Sequence, residues 1–385
     1  MKNKDMAKEN EIKTVVPALR FPEFQDTEGW KEYKLKNLCE IGNGKDYKHL
    51  SSGNIPLYGS GGYMTSVDDF LYDGESVCIG RKGTIDKPIF LTGKFWTVDT
   101  LFYTHSFNNC LPKFLYLIFQ KINWYKYNEA GGIPSLSKTT IGEINVFAPV
   151  GKKGELKEQQ KIADCLSSLD ELIEATTQKV EMLKEHKKGL MQRLFPAEGK
   201  NAPDLRFPEF QGMEGWERKI IQDICNITTG NKNTQDKKDN GIYPFFVRSQ
   251  KIERIDSWSF DGEAILTAGD GVGVGKIFHY YVGKMGVHQR VYLLHDIQCN
   301  NKYLYYFFSE FFYERVKKMS AKNSVDSVRK DMISDMPLLL PSPHEQQKIA
   351  DCLSSLDELI DATSRKVEIL KEHKKGLMQQ LFPKI

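Results

Sequence analysis

No run in the 385-residue sequence approaches the length of about eighteen apolar residues that a membrane-spanning helix needs. The opening MKNKDMAKENEIK is charged and has no apolar centre, which excludes a secretory signal and reads as a loose tail over 1–16. Seven cysteines form no CxxC pair and no Cys/His cluster at zinc spacing. They provide neither a disulfide framework nor a structural metal site, and reduced thiols in a cytoplasmic protein are the expectation.

An excess of charge of one sign is also missing: the net charge is +3. Segments 158–196 and 345–383 each hold six Lys/Arg against seven Asp/Glu, so +5 falls on the rest of the chain. Such an excess is compatible with a nucleic-acid surface without identifying one.

Catalytic signatures are absent as well. GDGVGVGK at 269–276 fails as a phosphate loop because Asp270 stands where the first glycine belongs and Ile277 follows the lysine. Its glycines read as a tight hairpin. The ExK triplets at 185–187 and 372–374 lie on heptad helices, a poor place for a metal nuclease. No glycine loop for S-adenosylmethionine precedes an NPPY-like tetrapeptide, and the eight histidines include no HExxH. The chain offers no catalytic centre and no metal site.

What the chain does have is repetition. EQQKIADCLSSLDELI stands at 158–173 and again at 345–360, and the match continues so that 158–196 and 345–383 differ at five of 39 positions. Upstream, LRFPEFQDTEGW (19–30) answers LRFPEFQGMEGW (205–216). The text between diverges, with weaker echoes such as YDGE (72–75) and FDGE (260–263). Each unit is a strap, a variable body and a long constant helix. A fixed frame around diverged bodies implies two versions of one job.

Both helices carry a heptad seam: Leu166, Leu169, Ile173, Val180, Leu183 and Leu190 in the first, Leu353, Leu356, Ile360, Val367, Leu370 and Leu377 in the second. Thr176, Lys187 and their repeats interrupt it, either as a frayed edge or as register-setting polar positions. Chain order makes antiparallel pairing of the two copies the simplest packing, with a pseudo-twofold axis and neighbouring chain termini. The fold class expected is α/β: two mixed α/β domains joined by two long antiparallel, coiled-coil-like helices. The divisions are a tail (1–16), a first body (17–157), a central helix (158–196), a linker and second body (197–344), and a C-terminal helix (345–385).

In body one, strands are expected at 76–80, 87–92 and 95–105, then a helix over 112–127. In body two they fall at 263–269, 276–283 and 287–295, then a helix over 300–318. Aromatics at helical spacing (Phe114, Tyr116, Phe119, Tyr305, Phe308, Phe312) read as core.

The loops are rich in side chains that read bases or hold phosphate. Body one offers Lys45, Tyr47 and Lys48, then Tyr58, Ser60, Arg81, Lys82, Asp99 and Lys138. Body two offers Asn231, Lys232, Arg248, Gln250, the VHQR run with His288, Gln289 and Arg290, and Arg329 with Lys330. VHQR stands out because three base-capable side chains are adjacent, although a strand would face alternate ones oppositely.

Two diverged bodies, each preceded by LRFPEF…GW and followed by EQQKIADCLSSLDELI, resemble a type I restriction-modification specificity subunit over residues 17–385. The resemblance implies a non-catalytic protein whose two recognition domains each read half of a split duplex DNA target. It further implies helices that set the spacing and dock two methyltransferase subunits, with restriction-translocase subunits joining. S-adenosylmethionine, ATP and Mg would belong to those partners. A protein-binding coiled-coil adaptor remains open, and a self-contained DNA methyltransferase is disfavoured by the missing cofactor loop.

Overall fold

The computed structural model describes residues 14–149, 155–320 and 327–384. Of the expected tail, residues 1–13 lie outside these, whereas Thr14–Val15 form a strand paired with Trp30 and Lys31. The chain divides into two compact units, residues 1–175 with 367–385 and residues 176–366. The division falls inside both long helices, Glu155–Leu194 and Pro343–Gln380. Both stop short of Pro196 and Pro383, which cannot continue a helical hydrogen-bond ladder.

In the first unit, the strap strand Trp30–Lys34 lies between Thr14–Val15 and Asn145–Ala148. One four-stranded sheet runs in the order Glu40–Asn43, Leu101–His105, Ser76–Gly80, Ile89–Leu91. A second runs Gly62–Val67, Ser52–Gly59, Lys94–Thr97, Tyr72–Asp73. The segment 95–105 is therefore not one strand. Its two halves belong to different sheets and are joined by the turn 98–100, where the Leu101 amide donates to the Val98 carbonyl at 2.9 Å. The body's helix is Pro112–Lys121, and the remainder of the expected span is a 3-10 turn, Trp124–Tyr127.

The second unit repeats the plan with one difference. Its strands form a single six-stranded sheet in the order Asn226–Thr229, Val291–His295, Phe260–Ala268, Phe278–Val287, Tyr243–Phe246, Glu253–Ile255. Phe278–Val287 is continuous, whereas its counterpart in body one is broken into 89–91 and 94–97 by a turn at Gly93, whose φ of +72° lies in the left-handed region. VHQR is not a strand: His288–Arg290 form the turn between two strands. The GDGVGVGK segment does join paired antiparallel strands, but through a connection over 269–277 rather than a tight two-residue turn.

The packing explains why the frame is written twice. Glu158 of the first helix is buried and takes Arg20 of the strap in a fork, Nε and Nη2 each donating at 2.7 Å. Glu345 takes Arg206 in the same way, at 2.8 and 2.7 Å. The next residue holds the body: Gln159 Oε1 accepts from the Leu111 amide and its Nε2 donates to the Pro149 carbonyl, while Gln346 does the same with Asn300 and Pro341. Thus E and the first Q of EQQKIA lock strap and body, and Ile162, Ala163 and Leu166 enter the core of the first unit. Phe382 stacks on Phe114 with centroids 5.4 Å apart, and Phe195 meets Tyr303 at 5.5 Å in the other unit.

Within each unit the helices run antiparallel. Residue 158 lies beside the strap that bonds residue 380, since the Leu19 amide donates to the Gln380 carbonyl at 2.9 Å, while Asp170 meets Lys374 farther along. The same arrangement in the second unit joins Leu205 to Arg193, Arg206 to Glu345 and Lys187 to Asp357. The seam lysines are therefore ion-paired register positions rather than frayed ends. Leu166, Val180, Leu353, Ile360 and Val367 are buried, and Leu169, Ile173, Leu183, Leu190, Leu356, Leu370 and Leu377 are half-buried.

Candidate nucleic-acid interface

In each body several loops converge on one turn. In body one the turn is Val98–Thr100. The Val98 amide donates to the Tyr58 carbonyl, the Lys45 amide to the Thr97 carbonyl, and the Arg81 amide to the Thr100 carbonyl, all at 2.8–3.0 Å. The Leu136 amide donates to the Arg81 carbonyl at 2.8 Å, which brings the Ser135–Lys138 loop alongside. In body two the His288 amide donates to the Phe246 carbonyl, the Lys232 amide to the Val287 carbonyl, and the Gly269 amide to the Arg290 carbonyl. The Val328 amide closes the ring on the Gly269 carbonyl at 2.7 Å. TVDT and VHQR, far apart in sequence, occupy the same topological place.

Convergence this tight requires glycine beneath each turn. A Cβ on Gly44 would lie 1.9 Å from the Val98 carbonyl oxygen, and one on Gly230 would lie 2.1 Å from that of Val287. Both glycines let one loop cross directly under the other.

The candidate side chains sort by exposure. In body one Lys45, Lys48, Arg81, Lys82, Asp99 and Lys138 are exposed, Tyr58 and Ser60 are half-buried, and Tyr47 packs against a small core of Leu57, Val67, Trp96 and Val98. Arg81, Lys82 and Lys138 line one cleft of about 700 Å³, with Phe102 in its wall and the Arg81 guanidinium 6.0 Å from that ring. Glu129 sits in the same cleft, accepting from Ser137 and Thr140, and these hydroxyls lower its pKa.

In body two Asn231, Arg248, Gln250, Gln289, Arg290, Arg329 and Lys330 are exposed, and Lys232 is half-buried with its Nζ donating to Ser257 Oγ at 2.9 Å. Gln289 and Arg290 line a cleft of about 300 Å³ with Asp270 and Tyr292. Arg248 and Arg290 both bond Asp270, at 2.7 and 2.9 Å. Arg329 pairs with Asp331 at 3.2 Å.

His288 is buried, in contrast to Gln289 and Arg290 that follow it. Its Nδ1 accepts from the Arg290 amide at 3.0 Å, so Nε2 carries the proton toward Thr234 Oγ1 at 3.3 Å. Burial, with Arg248 and Arg290 nearby, lowers its pKa and keeps the ring neutral. The ring pins the turn, and Gln289 and Arg290 are the members of VHQR that face outward.

Two stretches, residues 27–185 and 213–372, match the family model described as type I restriction modification DNA specificity domain. The chain belongs to this family. It is 28% identical over 171 residues to the type I restriction enzyme EcoDI specificity subunit of Escherichia coli, a match covering 43% of this chain and 37% of that subunit. It is 24% identical over 351 residues to the MjaVIII specificity subunit of Methanocaldococcus jannaschii, covering 81% and 77%. In fold it resembles the type I system S subunit from M. genitalium, with a TM-score of 0.72, 14% identity, and coverage of 96% and 100%.

Specificity-family membership assigns the chain to sequence recognition rather than catalysis. Among the described residues no three His, Cys, Asp or Glu side chains gather as a metal site, and no helix is long and apolar enough to cross a membrane. The sequence marks GDGVG (269–273) both as a glycine turn and as one of the base- or phosphate-reading loops, but it does not single out Asp270 as the anchor of two arginines. The signal was faint, because Arg248 and Arg290 lie 22 and 20 residues away and only the sheet order joins them.

Proposed function

We propose that this chain is the target-reading subunit of a cytoplasmic type I restriction-modification complex. Each body reads one half of an asymmetric, bipartite duplex target. The long helices set the spacing and dock two methyltransferase subunits, to which restriction-translocase subunits add. S-adenosylmethionine, ATP and Mg serve those partners.

One observation carries the reading. The bodies hold equivalent turns, 98–100 and 288–290, on matching frames, yet present different side chains: Asp99 and Lys82 on one, Gln289, Arg290 and Arg248 on the other. Matching scaffolds with unlike tips are what two readers of unlike half-sites require. A first helix of 40 residues, about 60 Å at the usual rise, is longer than either body's core needs and suits a spacer. The modest charge leaves much of the phosphate grip to the partners.

The test combines the full chain with its methyltransferase subunit, S-adenosylmethionine and a library of duplexes. Methylation confined to one bipartite motif is expected. Association of the proteins without sequence-dependent methylation would overturn the reading in favour of an adaptor.

A further inference from the structure

Body two carries an anionic anchor at the place where body one carries a cation. The loop after Ser76–Gly80 presents Arg81 and Lys82, and Lys82 bridges to Ser135. The loop after Phe260–Ala268 presents Gly269 and Asp270, and Asp270 bridges to Ser327 in the same way. The sign of the side chain is inverted at an equivalent backbone position.

Asp270 does not leave the site negative. Its Oδ1 accepts from Arg248 Nη1 at 2.7 Å and its Oδ2 from Arg290 Nη1 at 2.9 Å. The three residues come from three separate loops. The carboxylate is well covered at 16% exposure, while the two arginine side chains are 44% and 62% exposed. The residue before it is held by two backbone bonds, the Gly269 amide on the Arg290 carbonyl and the Val328 amide on the Gly269 carbonyl, and Asp270 itself bridges to Ser327. The acid is therefore fixed, and the arginines are oriented by it.

We propose that Asp270 is a positioning residue for specificity: it holds Arg248 and Arg290 as a paired donor fork that reads guanine at neighbouring positions of the half-site taken by body two. This rests on the proposed DNA-reading function.

Three considerations support guanine over phosphate. A carboxylate between two arginines reduces the net positive charge, which weakens phosphate binding but fixes the plane of each guanidinium. Each arginine spends one Nη1 contact on Asp270, and its remaining N–H donors have no protein partner among the described residues, leaving them for the O6 and N7 acceptors of guanine. Two guanidiniums on one carboxylate also lie close enough together to serve adjacent base pairs, which are spaced about 3.4 Å apart. Without the acid the two cations would repel and splay.

The experiment uses the full chain assembled with its methyltransferase subunit and measures methylation across duplexes randomised in both half-sites. Asp270→Asn keeps the shape and removes the charge. It is expected to lower discrimination by about tenfold or more at two guanine positions in one half-site, with the other half-site unchanged. Arg248→Lys and Arg290→Lys should each relax one of those two positions, and these exposed substitutions guard against a folding artefact in the Asp270 variant. Asp270→Glu should restore part of the discrimination. The inference is overturned if the half-site contains no guanine pair, if Asp270→Asn leaves the base preference unchanged, or if all three substitutions lower activity uniformly on every sequence, the mark of a phosphate contact. A wild-type complex that shows no sequence preference would instead refute the proposed function itself.

Discussion

Lys374 of the second long helix reaches Asp170 of the first, with Nζ 2.6 and 2.7 Å from the two carboxylate oxygens. Lys187 makes the same pair with Asp357, which also accepts from the Tyr306 hydroxyl at 2.7 Å. Both lysines occupy seam positions where leucine would pack better. They specify which residues face each other, and so the antiparallel register.

Exchanging the charges should separate register from simple stability. Lys374→Asp alone is expected to destabilise the first unit, and adding Asp170→Lys should recover most of the loss. The pair is partly exposed, so a double-mutant cycle by thermal unfolding should give a coupling of about 0.2–1 kcal/mol. Zero coupling would remove the register role.

The strap forks lie deeper. Arg20 and Glu158 are 4% and 1% exposed, so removing the arginine leaves a buried carboxylate without its partner. Arg20→Ala should cost about 3–5 kcal/mol in denaturant unfolding, far more than an exposed lysine such as Lys161. The two straps also differ. Trp30 Nε1 donates to Glu158 at 3.2 Å, whereas Trp216 Nε1 has no hydrogen-bond partner among the described residues. Glu158→Ala is therefore expected to destabilise more than Glu345→Ala.

Cysteine titration gives a pH signature. Burial pushes the Cys39, Cys78 and Cys225 thiols up to about 12, from 9.0. The folded state keeps these protons after the unfolded chain has lost them. Stability is thus intact below pH 9 and falls as pH rises from about 9 toward 12. Unfolding midpoints across that range should decline, and alkylation of these cysteines near pH 9 should be slow until denaturant is added. Rapid alkylation in the native state would contradict their burial.

Salt dependence should report the loop cations. If Lys48 or Lys138 holds a phosphate, its replacement by alanine lowers DNA affinity for all sequences and reduces the slope of log affinity against log salt by about 0.9. A change in base preference instead would make that lysine a reader.

Much of this molecule was legible in its sequence because the repeated parts are the structural parts. Heptad leucines, the EQQKIA helix start and the aromatic spacing of Phe114, Phe119, Phe308 and Phe312 each report local burial, and these four rings are fully buried. Interior detail was less readable. FWTVDTLFYTH is apolar enough for one strand, yet its middle is pulled into a turn by pairing of Leu57 and Tyr58 with Trp96 and Thr97. VHQR has the composition of three readers, but the turn buries His288 and exposes only Gln289 and Arg290. The Asp270 anchor depends on loops that meet only once the sheet has formed.

The central claim is that target information is divided between the bodies while the frame merely holds them. Replacing residues 31–149 with the corresponding body of another family member, and mapping methylated sites of the resulting complex, tests it most directly. One half of the bipartite target should change, with the other half and the spacing preserved. Loss or alteration of both halves would contradict the division.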